Sequence, residues 1–265
     1  MYAFRYHRPS SMKDALALGS QNEEGKYLAG GQSLVQAMKL RLTSPSDLID
    51  LNALRDLKTL KSEGGLVTVG AMVRHAEVAA SSEVRKAIPA LAALAGMIGD
   101  RQVRHMGTLG GSLANNDPAA DYPAAVLGLG ATIITNKRKI EADKFFKGLY
   151  ETALEPGELL TAVAFPVPKR AAYMKFKNPA SRFAIVGVFV ADFGKAARVA
   201  VTGAGPSVFR QPDMEKALSA KFAPESVANI KVKADGLNND LHATPEYRAH
   251  LVTVMARRAV EAALG

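Results

Sequence analysis

The sequence predicts an α+β chain, and three observations carry that expectation. Strand-like runs and helical runs are mixed without the strict strand-helix alternation of a doubly wound parallel sheet. Hairpin and turn signals recur at Gly64-Gly65, Asn136-Lys137-Arg138-Lys139 and Glu155-Pro156-Gly157-Glu158. Two glycine-paired motifs, Ala29-Gly30-Gly31-Gln32-Ser33-Leu34 and Thr108-Leu109-Gly110-Gly111-Ser112-Leu113-Ala114-Asn115-Asn116-Asp117-Pro118-Ala119-Ala120-Asp121, punctuate the first half.

Taken in order, residues 12–19 read as a short helix with Ser10 or Ser11 as cap, and 26–29 as a strand entering the first glycine loop. Residues 33–42 can form a helix, ended by Ser44-Pro45-Ser46, and Asp47-Leu48-Ile49-Asp50-Leu51 is strand-like with buried-strand character. A unit boundary falls near 58. Gly64-Gly65 turns into strand 66–70, Ala76 starts a helix, and the Ala-rich run 87–95, flanked by Pro89 and Gly96, reads as a helix whose small residues let other elements approach closely. After the second glycine motif, treated as a loop, 122–129 is a buried helix, 131–135 a strand and 159–167 a strand ended by Pro166 and Pro168. Beyond a linker at 166–172, strands 184–193 and 196–203 precede helices 214–220 and 247–263. The expected units are 1–58, 59–170 and 171–265.

A glycine pair bares backbone N–H groups and permits positive φ, which suits a chain that must wrap a diphosphate. A helix beginning at Ser33 adds a partial positive charge to the same place. Two such motifs suggest a dinucleotide, although neither fits the Gly-x-Gly-x-x-Gly turn or the phosphate loop ending in Lys-Ser/Thr.

Both motifs, with Met38-Lys39-Leu40-Arg41-Leu42, Leu48-Ile49-Asp50-Leu51, Val69-Gly70-Ala71, Arg104-His105-Met106-Gly107, Glu158-Leu159-Leu160-Thr161 and Lys175-Phe176-Lys177-Asn178-Pro179-Ala180-Ser181, give the chain its resemblance to a family. It resembles the FAD-binding (medium) subunit of molybdenum hydroxylases, the group of carbon monoxide dehydrogenase and xanthine dehydrogenase. The resemblance implies two α+β subdomains of the vanillyl-alcohol-oxidase type that sandwich FAD, then a small α+β C-terminal domain. It assigns Ala29, Gly30, Gly31, Gln32, Ser33 and Leu34, with Thr108, Gly110, Gly111, Ser112 and Asn115, to the diphosphate and ribityl chain. Asp121 is assigned to the cofactor's hydroxyls, Lys177 to the pyrimidine end of the flavin and Phe183 to its ring face; Leu160 completes the set.

Each assignment has a plainer counterpart. Gln32, Ser33, Ser112, Asn115 and Asp121 also fit helix caps, Asp117 before Pro118 fits a turn start, Lys177 an exposed cation and Phe183 a core aromatic. One departure from the family stands after Leu34, where Val35-Gln36 replaces the usual proline and leaves the following helix start less defined.

Composition narrows the rest. The 265 residues, 48% hydrophobic and 22% charged, are ordinary for a folded chain of two or three units. No run approaches the roughly 18 apolar residues of a membrane helix, and the opening Met1-Tyr2-Ala3-Phe4-Arg5-Tyr6 lacks the apolar core of a secretory signal, so a cytoplasmic location is expected. Zero cysteine excludes disulfides, a thiol nucleophile and a Cys-ligated iron–sulfur cluster in this chain. Its five histidines have no metal-site spacing. The net charge of +9 is scattered, with short clusters at Lys137-Arg138-Lys139 and Lys169-Arg170 and no aromatic-basic motif, which argues against nucleic acid and for either a solvated basic surface or one facing an acidic partner subunit.

The expected role is an electron-transfer subunit carrying non-covalent FAD. Molybdenum cofactor and iron–sulfur clusters are expected in a large and a small partner subunit, as a dimer of heterotrimers. A stand-alone FAD oxidoreductase of the same fold and a basic nucleic-acid-binding or scaffold protein are the rivals.

Overall fold

The computed structural model describes residues 1–22 and 24–265, and its strands fall into four sheets. The first unit comprises β1 (Arg5–His7), α1 (Met12–Gln21), β2 (Lys26–Leu28), α2 (Leu34–Lys39) and β3 (Asp47–Asp50). Both β1 and β2 run parallel to the central β3, so this unit is a small parallel sheet inside an otherwise antiparallel α+β chain. Ser11 caps α1 by accepting from Asp14 N at 3.2 Å. All four residues of β3 are buried, as its buried-strand character leads one to expect, including two carboxylates. Asp47 accepts from Arg5, Ser46 and His7, and Asp50 accepts from Tyr6 and Asn52, so neither charge is buried alone.

The second unit begins with β4 (Leu60–Glu63) and β5 (Leu66–Gly70), joined at Gly64-Gly65, both of which have positive φ. Helices α3 (His75–Ala80), α4 (Ser82–Ala87), α5 (Pro89–Gly96), α6 (Arg101–Met106), α7 (Leu109–Asn115) and α8 (Tyr122–Gly128) follow. The expected single helix over 87–95 is in fact α4 and α5 broken at Ile88, because Pro89 cannot donate the next helical bond and instead opens a new helix. Next come β6 (Thr132–Thr135), β7 (Lys139–Glu141), α9 (Ala142–Phe145), the small hairpin β8 (Phe146–Gly148) and β9 (Glu151–Thr152), and β10 (Leu160–Pro166). The strands form an antiparallel sheet in the order β4-β5-β10-β6-β7.

The C-terminal part is an antiparallel sheet of β11 (Arg170–Lys177), β12 (Ala184–Asp192), β13 (Ala197–Thr202) and β14 (Phe209–Arg210). It is backed by α10 (Pro212–Ala220), α11 (Glu225–Ala228) and α12 (Pro245–Leu264). Every residue of β12 is buried, since α12 covers one face while α8 packs from the other part of the chain. Every residue of α8 is also buried; it packs on β12 and β13, and a β-carbon at Gly128 would lie 2.9 Å from Phe189, so glycine lets the end of the helix seat against β12.

Candidate functional site

The two glycine motifs meet. A β-carbon at Gly30 would collide with the Met106 carbonyl and lie 2.8 Å from the Gly107 α-carbon, and one at Gly111 would lie 3.4 Å from the Ala29 β-carbon. Close approach, not a left-handed backbone, explains three of the four paired glycines, for only Gly31 has positive φ, at 73°.

In the first motif the expectation of bared amides holds. Among the described residues, the N–H groups of Gly30, Gly31, Gln32, Ser33 and Leu34 donate to no protein acceptor. The loop is held from behind: Asn52 Nδ2 donates to the Ala29 carbonyl at 3.2 Å and to Asp50 Oδ1 at 2.7 Å. Helix α2 starts at Leu34 despite the missing proline, with Ser33 making no side-chain cap. The helix 33–42 is shorter than expected, ending at Lys39 because Arg41 takes positive φ.

The second motif differs from the expected open loop. Leu109–Asn115 is helical, and its first amides are consumed internally: Leu109 N by Val73 O at 3.0 Å, Gly110 N by Ala71 O at 2.8 Å and Gly111 N by Thr108 Oγ1 at 3.1 Å. Thr108 is therefore a buried helix cap. Gly110 lets the helix press on Ala71, where a β-carbon would lie 2.5 Å from the alanine β-carbon. What this motif presents is a glycine surface at Gly111 and the side chains of Ser112 and Asn115, both half-buried and without a protein hydrogen-bond partner among the described residues.

Three assignments change. Leu160 is 3% exposed and belongs to the core of the five-stranded sheet, so its side chain is packing, not site. Thr108 caps a helix, as described. Asp121 does not offer its carboxylate to a ligand: Oδ1 accepts from Tyr173 at 2.6 Å, Lys175 Nζ lies 2.9 Å away, and both ionic side chains are nearly inaccessible. Burial pushes the Asp121 carboxyl up, against the opposing pull of Lys175 and Tyr173. No local pattern signals the Tyr173-Asp121-Lys175 cluster, because Tyr173 and Lys175 stand 52 and 54 residues from Asp121.

Lys177 and Phe183 flank one hairpin end, away from the core. A register shift between Phe176 and Lys177 re-aims the strand, and Lys177 is exposed. Phe183 is 48% exposed, not the core aromatic of the plainer alternative, and Asn178 N donates to its carbonyl at 2.8 Å. With Asp117, Pro118 and Ala119 of the second motif it lines a crevice of about 240 Å³, so the hairpin and the motif's tail share one surface.

His75 lies behind the junction of the two motifs, unforeseen in the sequence. A β-carbon at Gly107 would lie 2.5 Å from His75 Nε2, and the ring sits 5.3 Å from that of Tyr122. Among the described residues, His75 Nδ1 and the Tyr122 hydroxyl have no hydrogen-bond partner. Burial first, then the Arg104 charge, lowers the His75 pKa to about 4, so the imidazole is neutral. No group of three or more His, Cys, Asp or Glu that could hold a metal ion occurs among the described residues.

These features fit a dinucleotide: five amides without a protein acceptor among the described residues for a diphosphate, the side-chain-free surface of Gly111 where the second motif abuts, and the half-buried Ser112 and Asn115 side chains beside it. Comparison with known proteins agrees. Residues 2–168 match the family described as the FAD binding domain in molybdopterin dehydrogenase, and 171–263 match the CO dehydrogenase flavoprotein C-terminal domain. The chain is 36% identical to the nicotine 6-hydroxylase medium subunit of Paenarthrobacter nicotinovorans, over 97% of this chain and 96% of that one. It is 35% identical to the carbon monoxide dehydrogenase medium chain of Afipia carboxidovorans, over 98% and 96%. A solved structure of reconstituted CO dehydrogenase from Oligotropha carboxidovorans superposes with a TM-score of 0.91 at 34% identity, covering 99% of this chain and 98% of that one. The chain belongs to the FAD-binding family of molybdopterin dehydrogenases, with the C-terminal domain of the CO dehydrogenase flavoproteins.

Proposed function

We propose that this chain is the FAD-carrying electron-transfer subunit of a cytoplasmic molybdenum hydroxylase, built as a dimer of heterotrimers with a large molybdenum subunit and a small iron–sulfur subunit. Electrons from the partner's clusters leave through this chain to an external acceptor. The observation that carries the reading is the run of free N–H groups from Gly30 to Leu34, set against the glycine surface of Gly111. Similarity to medium subunits of CO dehydrogenase and nicotine 6-hydroxylase along nearly the whole chain supports the division of labour.

Bound FAD supplies a centre that accepts electrons singly and releases one or two. The units 1–58 and 59–170 would hold it between them, non-covalently. In that role the amides of residues 30–34 donate to the diphosphate oxygens. Ser112 and Asn115 donate to the phosphate or ribityl oxygens. The C-terminal unit, 171–265, contributes Phe183 to the ring face and Lys177 to the pyrimidine edge, where a cation stabilises negative charge on the reduced ring. Asp121 contributes indirectly, by tying β11 to the end of the second motif through Lys175 and Tyr173.

The chain is compared alone and in its complex. Alone with FAD it should oxidise no physiological donor, whereas the assembled complex should reduce its flavin when donor is added. Rapid donor oxidation by the lone subunit would favour the stand-alone reading instead.

A further inference from the structure

We infer that residues 1–58 are a clasp: they open from the rest of the chain as one cooperative unit, and the bound dinucleotide holds them closed. The inference rests on the reading above that FAD lies between the first two units, and adds which side moves.

The seam between 1–58 and 59–265 is thin. No strand pairs across it, since β1, β3 and β2 form a sheet of their own. Among the described residues no salt bridge crosses it and two hydrogen bonds do. One lies at the connection itself, where the carbonyl of Leu57, in the turn Arg55–Lys58, accepts from Met72 N at 2.8 Å. The other closes the far side: the Tyr27 hydroxyl donates to the Gly157 carbonyl at 3.2 Å. Gly19 makes room for it, because a β-carbon there would collide with the Tyr27 hydroxyl.

Packing divides the chain at the same place. Ile49, Leu51, Leu54 and Leu57 form a small core that Met72 and Leu159 of the second unit complete. A unit of this size with so small a core is marginal alone. The second and C-terminal units, in contrast, share one core through Tyr173, Phe189 and Ala200. Polar ties also cross between those two: Tyr173 and Lys175 to Asp121, Arg198 to Asp143, and Thr202 to the Ala120 carbonyl. Residues 59–265 are therefore one body, to which 1–58 is held by packing, its connection and one hydroxyl.

The cofactor site straddles this seam. The free amides of residues 30–34 belong to the clasp, whereas Gly111, Ser112 and Asn115 belong to the body. Where the two sides come closest, Gly30 rests on the Met106 carbonyl without donating to it. Opening parts the two halves of the diphosphate site, so the ligand binds the closed state and opposes opening.

Hydrogen–deuterium exchange over the full chain, resolved by peptide, tests this with and without FAD. In the FAD-free chain the protected amides of α1, β2 and β3 should share one exchange rate, about tenfold or more above that of β10 and β12. Tyr27→Phe should speed exchange in 1–58 by about three- to tenfold and leave β10 and β12 unchanged. FAD at about a hundred times its Kd should slow exchange in 1–58 by about a hundredfold. Equal protection of both parts in the FAD-free chain overturns the inference. So does a Tyr27→Phe effect spread evenly over both, or bound flavin that leaves 1–58 exchanging as before. Absorbance reports flavin uptake separately: a chain that takes up none overturns the functional reading, while the two FAD-free comparisons still decide the clasp.

Discussion

The α-carbon of Gly30 lies against the carbonyl of Met106 with no room for a β-carbon between them. This contact joins the two motifs into one site, because Met106-Gly107 leads directly into Thr108 and the second glycine pair. Gly30→Ala should therefore push the motifs apart, adding about 1–3 kcal/mol of strain, and FAD affinity should fall far more than thermal stability. Gly111→Val should behave likewise, its side chain entering the wall against Ala29 and Thr108. Fluorescence titration with FAD, beside a melting curve, separates the two effects.

The site should also loosen in acid. His75 is held neutral by burial, with its pKa lowered to about 4 from the usual 6.5. A base with a depressed folded pKa contributes stability that is present above the unfolded pKa and lost as pH falls from about 6.5 toward 4, a loss of up to about 3 kcal/mol. Gly107 and Tyr122 pack on this ring, so bound FAD should be released in the same window. His75→Gln should flatten the stability profile there; an identical profile in the variant would remove His75 as the cause.

A second acid step belongs to Glu158. Burial raises its carboxyl, but the Arg138 guanidinium, Glu155 N and Thr135 outweigh it and hold the pKa at about 2. Its stabilisation is present above the ordinary carboxylate range and lost as pH falls through about 4 toward 2. Glu158→Gln should remove that lower step in acid-unfolding curves and leave the His75 step in place.

Lys175→Met strands a carboxylate in the interior. Removing one partner of a buried pair typically loses about 3–5 kcal/mol, so urea unfolding should shift strongly. Lys175→Met with Asp121→Asn should recover much of the loss, since no charge is then left unpaired. The recovery distinguishes an ion pair from packing alone.

Lys177 and Phe183 should give separable defects. Lys177→Met should lower the flavin reduction potential, and a lost interaction of about 1 kcal/mol corresponds to about 20 mV for a two-electron couple. Phe183→Ala should weaken FAD binding with little change in potential. A bound structure with both side chains beyond contact distance of the ring would remove them from the site and leave the loop site untouched.

Local order was legible in the residues. Ser11 before helix α1, Gly64-Gly65 between β4 and β5, and the Leu48-Ile49 centre of β3 each point to the element that forms, because cap and turn are short-range physics and paired β-branched and leucine side chains favour a buried strand. The first glycine motif was equally legible. The second was misread as open because Thr108 and the Ala71-Val73 carbonyls, which consume its amides, act through tertiary packing. Strand β11 went unseen beneath its charges, and β1 is three residues long. Lys175 and Tyr173 sit on that unseen strand, which is why Asp121 read as a ligand group rather than as their partner. Asn52 carried a faint signal, since Asp-x-Asn after a strand often folds back on the backbone.

As proposed, FAD is held by the amides of residues 30–34, closed by the Gly111 surface of the second motif. The most direct measurement is the visible absorption spectrum of the purified chain after incubation with excess FAD and removal of free ligand, for wild type and Gly30→Ala. The wild type should show flavin bands near stoichiometric occupancy and the variant should lose them, with both proteins folded by circular dichroism. A folded wild-type chain without flavin bands, or a folded variant with full occupancy, would contradict it.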